Sequence, residues 1–485
     1  MEKIPKNINE TVKKIQKKYG QSKDLNTRII NIKGTKIACI FLESSSQTST
    51  ISDFIIKGAI HTKDSQKLFQ NIFENLKNTL YNCQLFIIKN FEEFPYYLSS
   101  GFTIITVEGE NKAIIMETRA QLDRGVTEAT SEPILRGPKD SFTESHSKNL
   151  GLLRKRIKTE NLWFEEMKIG RKTETRVTIA YINKIADKTK VKQIKERLKK
   201  IDIDGILDSG NLRDYLLEKN SSFPQIQSTE RPDFASEALL NGKIVILTEN
   251  SPFVLILPTV FIDYLHISDD YNQKSVNISY TRILRMLALI ITLFTPAIYI
   301  AITTFDQNTI PDKLLISIAI QREGVPFPIS FEIILLTTIF EIIRESNIRS
   351  PSSMSAAMSI VGALVLGQAA VDAGIVSPIT VIIVAITSIC SLVFNDIDFM
   401  NGIRLWRFIF ILFASILGVI GLLSITLIFI IKLASLENLN TSYLSPIAPL
   451  TIKDQKDAII KVETKNLITR PSYISKLNPH RQRRK

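Results

Sequence analysis

A long stretch without any charge begins just after the middle of the chain. Residues 286–305 read MLALIITLFTPAIYIAITTF, and Arg282 and Arg285 stand just before them. An apolar helix of about 20 residues is long enough to cross a hydrocarbon core of about 30 Å. Similar apolar segments follow at 355–371, 376–394 and 405–431. We therefore predict an integral membrane protein with an α-helical, polytopic membrane domain of four or five helices over residues 280–435.

The first half of the chain is charged and rich in lysine, so the mean hydropathy of +0.09 averages two different halves. Residues 1–30 look like a polar helical lead-in. Strand-like runs at 36–42 and 102–116 follow, the second turning at residues 109–111 as a hairpin does. These patterns predict a first α/β cytosolic subdomain over residues 1–120. A polar connecting segment that contains a helix occupies residues 121–175.

A second α/β cytosolic subdomain is predicted over residues 176–265. RVTIAYI, residues 176–182, has the pattern of a strand, and an amphipathic helix follows with Val191, Ile194 and Leu198 on one face. The run KIVILTENSPFVLILPTVF then reads as two strands joined by a turn. The fold class is thus α/β in a two-subdomain soluble half, followed by the helical membrane domain and a basic C-terminal tail over residues 436–485.

The charge and the chemistry-bearing residues exclude several function classes. The net charge is +13, but no lysine or arginine stripe alternates with aromatic residues, so we expect no nucleic-acid partner. Membrane lipid is the expected partner for this charge. The three cysteines and four histidines stand apart, and phosphate-loop, nucleophile-elbow, zinc-protease and dinucleotide motifs are missing. We expect no enzyme, no cofactor and no metal.

Positive charges at the membrane ends predict the topology. Arg282 and Arg285 place the N-terminus inside, and Lys432 with the final HRQRRK places the C-terminus inside as well. Both ends inside require an even number of crossings. Four crossings satisfy this if residues 329–343, which carry Glu332 and Glu341, form an interfacial or re-entrant helix.

The segment 355–373 combines small residues with a polar face. Alanine, serine and glycine recur along SAAMSIVGALVLGQAAVDA and allow close helix packing, either within the subunit or around an axis. Val361, Val365, Gln368 and Asp372 follow one another at helical spacing and share one face. If several copies surround an axis, the valines form a constriction that gates by dewetting, and the carboxylates favour cations. We predict these four residues as pore-lining.

The loop that precedes residue 329 cannot be regular helix, because Pro326 and Pro328 lack backbone donors. Arg322 and Glu323 are adjacent, and Arg322 can pair with Glu323 or with Glu332. The loop is either a structural corner or an element that couples domains. Its candidate residues are Arg322, Glu323, Pro326, Pro328 and Glu332.

Eight stretches together carry a family resemblance from about residue 121 to 450. They are RGPKDSFTES (136–145), RKRIKTENLWFEEMKIGRKTETRV (154–177), DIDGILDSG (202–210), FPQIQSTERPD (223–233), PFVLILP (252–258), REGVPFP (322–328), SIVGALVLGQAAVDAGIVSP (359–378) and YLSPIAP (443–449). In this order they resemble the A subunit of the GerA-family nutrient germinant receptors of endospore-forming bacteria.

The resemblance implies a role in the germination of dormant spores and a multi-pass location in the spore inner membrane, with the soluble domains on the cytoplasmic side. It also implies a permease-like B subunit and a lipoprotein C subunit as partners. A homo-oligomer around a membrane pore that releases ions when nutrient binds is implied as well. Three hypotheses follow: an ion-conducting or gating subunit, a non-conducting transducing scaffold, and a secondary transporter.

Overall fold

The structure is a computed structural model of the 485-residue chain. It describes residues 2–20, 22–32, 34–57, 72–80, 84–120, 131–132, 134, 136–218, 221–349, 367–475 and 478–482. Two five-stranded sheets fill the first half of these residues, and a bundle of helices follows. The predicted α/β first half and helical second half are both present.

The first sheet is antiparallel throughout, with the strand order β1-β2-β4-β5-β3. Its strands are β1 (Leu25–Ile32), β2 (Thr35–Leu42), β3 (Leu85–Ile88), β4 (Phe102–Val107) and β5 (Ala113–Glu117). Its helices are α1 (Ile8–Tyr19), α2 (Thr48–Thr50) with the π-helix Ile51–Ile56, α3 (Ile72–Thr79) and α4 (Phe94–Ser99). The turn predicted at residues 109–111 joins β4 to β5. The prediction of a helical lead-in is wrong after Tyr19, because β1 pairs along its whole length with β2.

The second sheet repeats the strand order of the first. Its antiparallel order is β6-β7-β9-β10-β8, which matches the first sheet strand for strand. The strands are β6 (Leu162–Ile169), β7 (Thr175–Ile182), β8 (Gln227–Thr229), β9 (Ile244–Thr248) and β10 (Val254–Leu257). The helices are α5 (His146–Arg156), α6 (Lys188–Lys199), α7 (Gly210–Leu216) and α8 (Pro232–Leu240). The edge strand β6 comes from the segment predicted as a connection.

Both sheets are covered on both faces, which explains their apolar central strands. Every residue of β4, β9 and β10 is buried. Separate apolar clusters lie on the two faces of each sheet. Strands that are buried on both faces read as continuous apolar runs rather than as an alternating pattern.

A buried ion pair joins the two sheet units. Arg154 of α5 is fully buried and donates from Nε and Nη2 to the carboxylate of Asp24, at 3.0 and 3.1 Å. Ser44 donates to the same carboxylate at 2.8 Å. Because both groups are removed from water, each charge stabilises the other, and either one alone would be an uncompensated buried charge.

The helical domain contains six helices among the described residues. They are α9 (Ser275–Phe305), α10 (Asp312–Arg322), α11 (Ile329–Arg349), α12 (Gly367–Asp372), α13 (Pro378–Ser391) and α14 (Ile397–Ala434). By length and composition, α9 and α14 are apolar enough to cross a membrane, with mean hydropathies of 2.2 and 2.8. The shorter α13 is also apolar.

Helix α14 is a hairpin rather than one straight rod. Gly418 interrupts it with φ 59° and ψ −136°. A straight helix would separate Trp406 from Phe429 by about 35 Å at 1.5 Å per residue. Their ring centroids are 4.9 Å apart, so the two limbs run antiparallel. Residues 405–431, predicted as one apolar segment, are divided at Gly418 in the structure.

The two ends of the helical domain are defined by their contacts. At the sheet-side end, Trp406 Nε1 donates to Ser222 Oγ of the second sheet unit at 2.9 Å. At the far end, Phe305 packs so closely on Gly418 that a Cβ there would lie 2.7 Å from Phe305 Cγ. The first limb of α14 therefore begins near the sheets, and the second limb runs back from Gly418 to the same level.

The segment after α14 packs against the second sheet unit. It begins with the short hairpin β11 (Glu437–Asn438) and β12 (Thr441–Ser442). Lys190 of α6 donates to Thr441 Oγ1 at 2.7 Å, and Ser475 donates to the carbonyl of Ile185 at the same distance. The region that the sequence suggests as a basic tail thus contains buried, hydrogen-bonded residues.

Candidate functional site

The predicted coupling loop is held by a fully buried carboxylate on the first turn of α11. Arg322, at the end of α10, donates to Glu332 Oε1 at 3.3 Å and to the carbonyl of Phe327 at 3.2 Å. Glu332 has no exposed surface. The sequence allows Arg322 to pair with Glu323 or with Glu332, and in the structure it pairs with Glu332. Glu323 is exposed at the corner of the loop.

The other oxygen of Glu332 binds the beginning of α13. Glu332 Oε2 accepts from the backbone nitrogen and the hydroxyl of Ser377, at 2.8 and 2.9 Å. The Ser377 hydroxyl also lies 2.7 Å from Thr380 Oγ1. Ser377 is the N-cap residue of α13, so the carboxylate of another helix satisfies a free backbone N–H and faces the positive end of the helix dipole. Glu332 thereby ties α10, α11 and α13 together.

The loop and the segment that precedes α13 approach each other closely. Gly374 has φ 64°, and a Cβ on it would lie 3.1 Å from the carbonyl oxygen of Gly324. A side chain at residue 374 would therefore be strained in both conformation and space. Pro326 and Pro328 lie in the exposed part of the loop, and α11 begins directly after Pro328.

Two of the four predicted pore-lining residues are described, and they contact each other. Gln368 and Asp372 are both exposed on α12, and Gln368 Nε2 donates to Asp372 Oδ1 at 3.0 Å. The spacing of four residues places them on one helix face, as predicted. Val361 and Val365 lie outside the described residues. We call Arg322, Glu332 and Ser377 the Glu332 cluster. The site therefore contains this cluster and, on the helix that precedes Ser377 in sequence, the polar end of the predicted face.

A second charged cluster lies where the sheet units meet α9. Asp270 is fully buried and accepts from Arg285 Nη1 and Nη2 at 2.8 and 2.9 Å, and from Arg282 Nε at 3.1 Å. Arg282 also donates to Asp457 Oδ1 at 3.0 Å. Burial raises the pKa of Asp270, but the hydrogen bond and charge of Arg285 and the charge of Arg282 hold it below its usual value of 3.8.

The sequence indicates the arginines of these clusters but not all of their partners. As charges at the membrane end, Arg282 and Arg285 predict only the topology, whereas the structure pairs them with Asp270. No motif in the sequence predicts Ser377 as part of a site. The only sequence signal for it is a serine followed by proline, Ser377-Pro378, which is typical of a helix beginning.

The chain matches the family model described as the Bacillus/Clostridium GerA spore germination protein, over residues 13–473. It is 37% identical to spore germination protein KA of Bacillus subtilis (strain 168) over 483 residues, which are 99% of this chain and 88% of that protein. It is 32% identical to spore germination protein GerLA of Bacillus cereus, over 96% of each chain. It is 35% identical to the uncharacterised membrane protein YfkQ of Bacillus subtilis, over 84% of this chain and 79% of that one.

A solved structure also resembles the chain. It is the N-terminal domain of the A subunit of the Bacillus megaterium spore germinant receptor GerK3, at 32% identity and a TM-score of 0.42. The similarity covers 53% of this chain and 97% of that domain. The family model, by contrast, spans both the sheet units and the helical domain. Because that match and relatives of more than 30% identity extend over nearly the whole chain, the chain belongs to the GerA family of spore germination proteins.

Proposed function

We propose that this chain is the A subunit of a germinant receptor in the spore inner membrane, where it oligomerises and forms or gates a pore that releases ions in response to nutrient. The receptor would include a permease-like B subunit and a lipoprotein C subunit. The sheet units would lie on the cytoplasmic side. No catalysis, cofactor or metal is part of this proposal.

The exposed pair of Gln368 and Asp372 is the observation that carries the pore proposal. An amide and a carboxylate on one exposed helix face would be costly against lipid, but not against water. Around an axis of identical subunits they would form adjacent polar rings, and a carboxylate ring attracts cations. The nearby Glu332 cluster would hold this helix against its neighbours.

A polytopic arrangement is supported by the paired charges of the helical domain. The sequence favoured a non-spanning helix at residues 329–343 because of Glu332 and Glu341. Glu332 is paired with Arg322, and Glu341 with Arg407. A charge that is paired inside a bundle is far less costly than an isolated one.

The test is ion flux through liposomes that contain the purified full chain. We would compare the wild type with Val365→Ala and Asp372→Lys. The proposal expects faster leakage from the valine variant and a reduced cation preference in the lysine variant. Asp202→Asn, an exposed change in the second sheet unit, serves as the control and should behave as the wild type.

The scaffold hypothesis expects a different result. If the chain only transmits the signal, neither substitution changes flux, even when the B and C subunits are reconstituted with it. Flux that appears only in the complete complex, and that Asp372→Lys still alters, would support a pore that needs its partners. Unchanged selectivity in the complete complex would exclude Asp372 from the conducting path.

A further inference from the structure

Two arginines of α14 share one glutamate of α11. Arg407 Nη2 donates to Glu341 Oε1 at 2.5 Å, and Arg404 Nε lies 3.2 Å from Glu341 Oε2. Arg407 is almost fully buried, and Arg404 and Glu341 are partly exposed. We call Glu341, Arg404 and Arg407 the arginine cluster.

The arginine cluster lies at the sheet-side end of the helical domain. Trp406, between the two arginines in sequence, donates to Ser222 of the second sheet unit. Lys432, at the end of the second limb of α14, lies over the Trp406 ring with its Nζ 5.7 Å from the centroid. Tryptophan, lysine and arginine at one level are typical of the boundary between hydrocarbon and headgroups.

Positive charge exceeds negative charge at this level. Arg404 and Arg407 share Glu341, and Lys432 adds a further positive charge over Trp406. Asp398, an acidic residue near this end of α14, is paired with Arg213 of the sheet unit. Arg404 Nη1 donates to Asn401 Oδ1 at 3.0 Å. Two guanidinium nitrogens, Arg404 Nη2 and Arg407 Nε, are buried and have no hydrogen-bond partner within the described structure. Buried donors without acceptors cost free energy, and the cost is higher for charged groups.

An anion that accepts from these nitrogens would pair the buried donors and would also balance the excess positive charge. Phosphate suits the geometry, because a guanidinium offers paired N–H donors to phosphate oxygens. At the boundary with the headgroups, the phosphate at highest local concentration belongs to lipid, and basic pockets between helices at the cytoplasmic face bind anionic headgroups.

We propose that the arginine cluster binds the phosphate of an anionic phospholipid in the cytoplasmic leaflet. This inference rests on the membrane insertion in the proposed function. The bound lipid would bridge α11 and α14 beside the second sheet unit. Arg404, the more exposed arginine, is the main headgroup ligand, and Arg407 fixes Glu341 beside it.

The test uses the full chain in a neutral detergent, with phosphatidylglycerol, phosphatidylcholine or inorganic phosphate added in turn. The readout is the midpoint of thermal unfolding as a function of added lipid. We expect phosphatidylglycerol alone to raise the midpoint of the wild type. Arg404→Gln should weaken the apparent affinity for this lipid roughly fivefold, the effect of one basic residue at a membrane surface. Arg404→Lys tests whether the charge alone suffices or whether the paired N–H groups are needed.

The control is Arg171→Gln, which removes an exposed arginine that pairs with Asp202 in the second sheet unit. It should respond to phosphatidylglycerol as the wild type does. Equal effects of the two lipids, or an Arg404→Gln protein that responds fully, would overturn the proposal. A full response to inorganic phosphate, with nothing added by the lipid, would assign the cluster to free phosphate and overturn the lipid assignment.

Alkaline extraction of the chain from liposomes separates this inference from the proposed function. A chain that alkali removes from the bilayer refutes the membrane insertion on which both depend. A chain that resists extraction, but does not distinguish phosphatidylglycerol from phosphatidylcholine, refutes the lipid site alone.

Discussion

The ring of Phe429 packs edge-on against the indole of Trp406, with ring centroids 4.9 Å apart, although both residues belong to one apolar segment. Phe410 contacts Phe429 as well, at 5.7 Å. These contacts require the chain to reverse between the two limbs. The reversal occurs at Gly418, directly against Phe305. The end of α9 thus supports the turn of the hairpin.

Gly418→Ala should destabilise the hairpin strongly. The backbone there has φ 59°, which side chains rarely adopt, and a Cβ would overlap the Phe305 ring. Strain of this kind costs about 1 to 3 kcal/mol before any overlap is counted. We expect a lower midpoint of thermal unfolding and a changed Trp406 fluorescence. Gly324→Ala is the matched control, because a Cβ at Gly324 meets nothing within 4 Å.

Glu332→Gln should weaken the contacts that join α10, α11 and α13. The amide keeps the size of the carboxylate but loses the ion pair with Arg322, and its NH₂ group cannot accept from Ser377. Breaking a buried pair by removing one partner costs on the order of 3 kcal/mol. Thermal unfolding of the full chain measures the change. The exposed Glu323→Gln should unfold at the wild-type midpoint, and a similar loss in both variants would contradict the role of Glu332.

Asp270→Asn should weaken the junction between the sheet units and α9. The substitution removes the charged partner of Arg285, while Arg282 keeps its ion pair with Asp457. An uncompensated buried charge costs about 3 to 5 kcal/mol. Limited proteolysis between Asp263 and Ser275 would report the opening. Asp202→Asn, which removes an exposed partner of Arg171, should leave the cleavage pattern unchanged. Resistance of the Asp270 variant equal to wild type would exclude this role.

The buried His146 should make stability fall in mild acid. Its Nε2 lies 2.8 Å from Thr178 Oγ1, while its Nδ1 is buried without a partner. Burial, together with the charge of Arg176, lowers the pKa of His146 from 6.5 to about 4. Below pH 6.5 the unfolded chain therefore takes up a proton that the folded chain does not, so stability is lost as the pH falls from 6.5 to 4.

His146→Gln isolates this contribution. The loss attributed to the histidine amounts to roughly 2 to 3 kcal/mol across that range. We expect the variant to lose less stability than the wild type between pH 7.5 and pH 4.5, as measured by the midpoint of thermal unfolding. Parallel pH profiles of the two proteins would show that His146 is protonated in the folded state or contributes nothing.

The sequence by itself determined the local elements. The charge-free run before Asp306 predicts α9, because backbone groups in an apolar setting must be paired within a helix. The turn signal at residues 109–111 and the apolar, β-branched run at residues 176–182 likewise predict strands from short stretches of sequence. The spacing of Gln368 and Asp372 places them on one helix face. All of these are short-range properties of the chain.

Only the tertiary structure decided which distant residues meet. Arg322 selects Glu332 over its neighbour Glu323 because the loop turns α11 back and leaves Glu323 in solvent. Asp24 pairs with Arg154 only when the two sheets dock. The common strand order of the two sheets and the reversal at Gly418 likewise depend on packing between different segments. Hydrophobic periodicity describes one segment at a time and does not show which segments pack together. A sequence pattern specifies the buried face of an element, but the surface that covers this face is set by the whole fold.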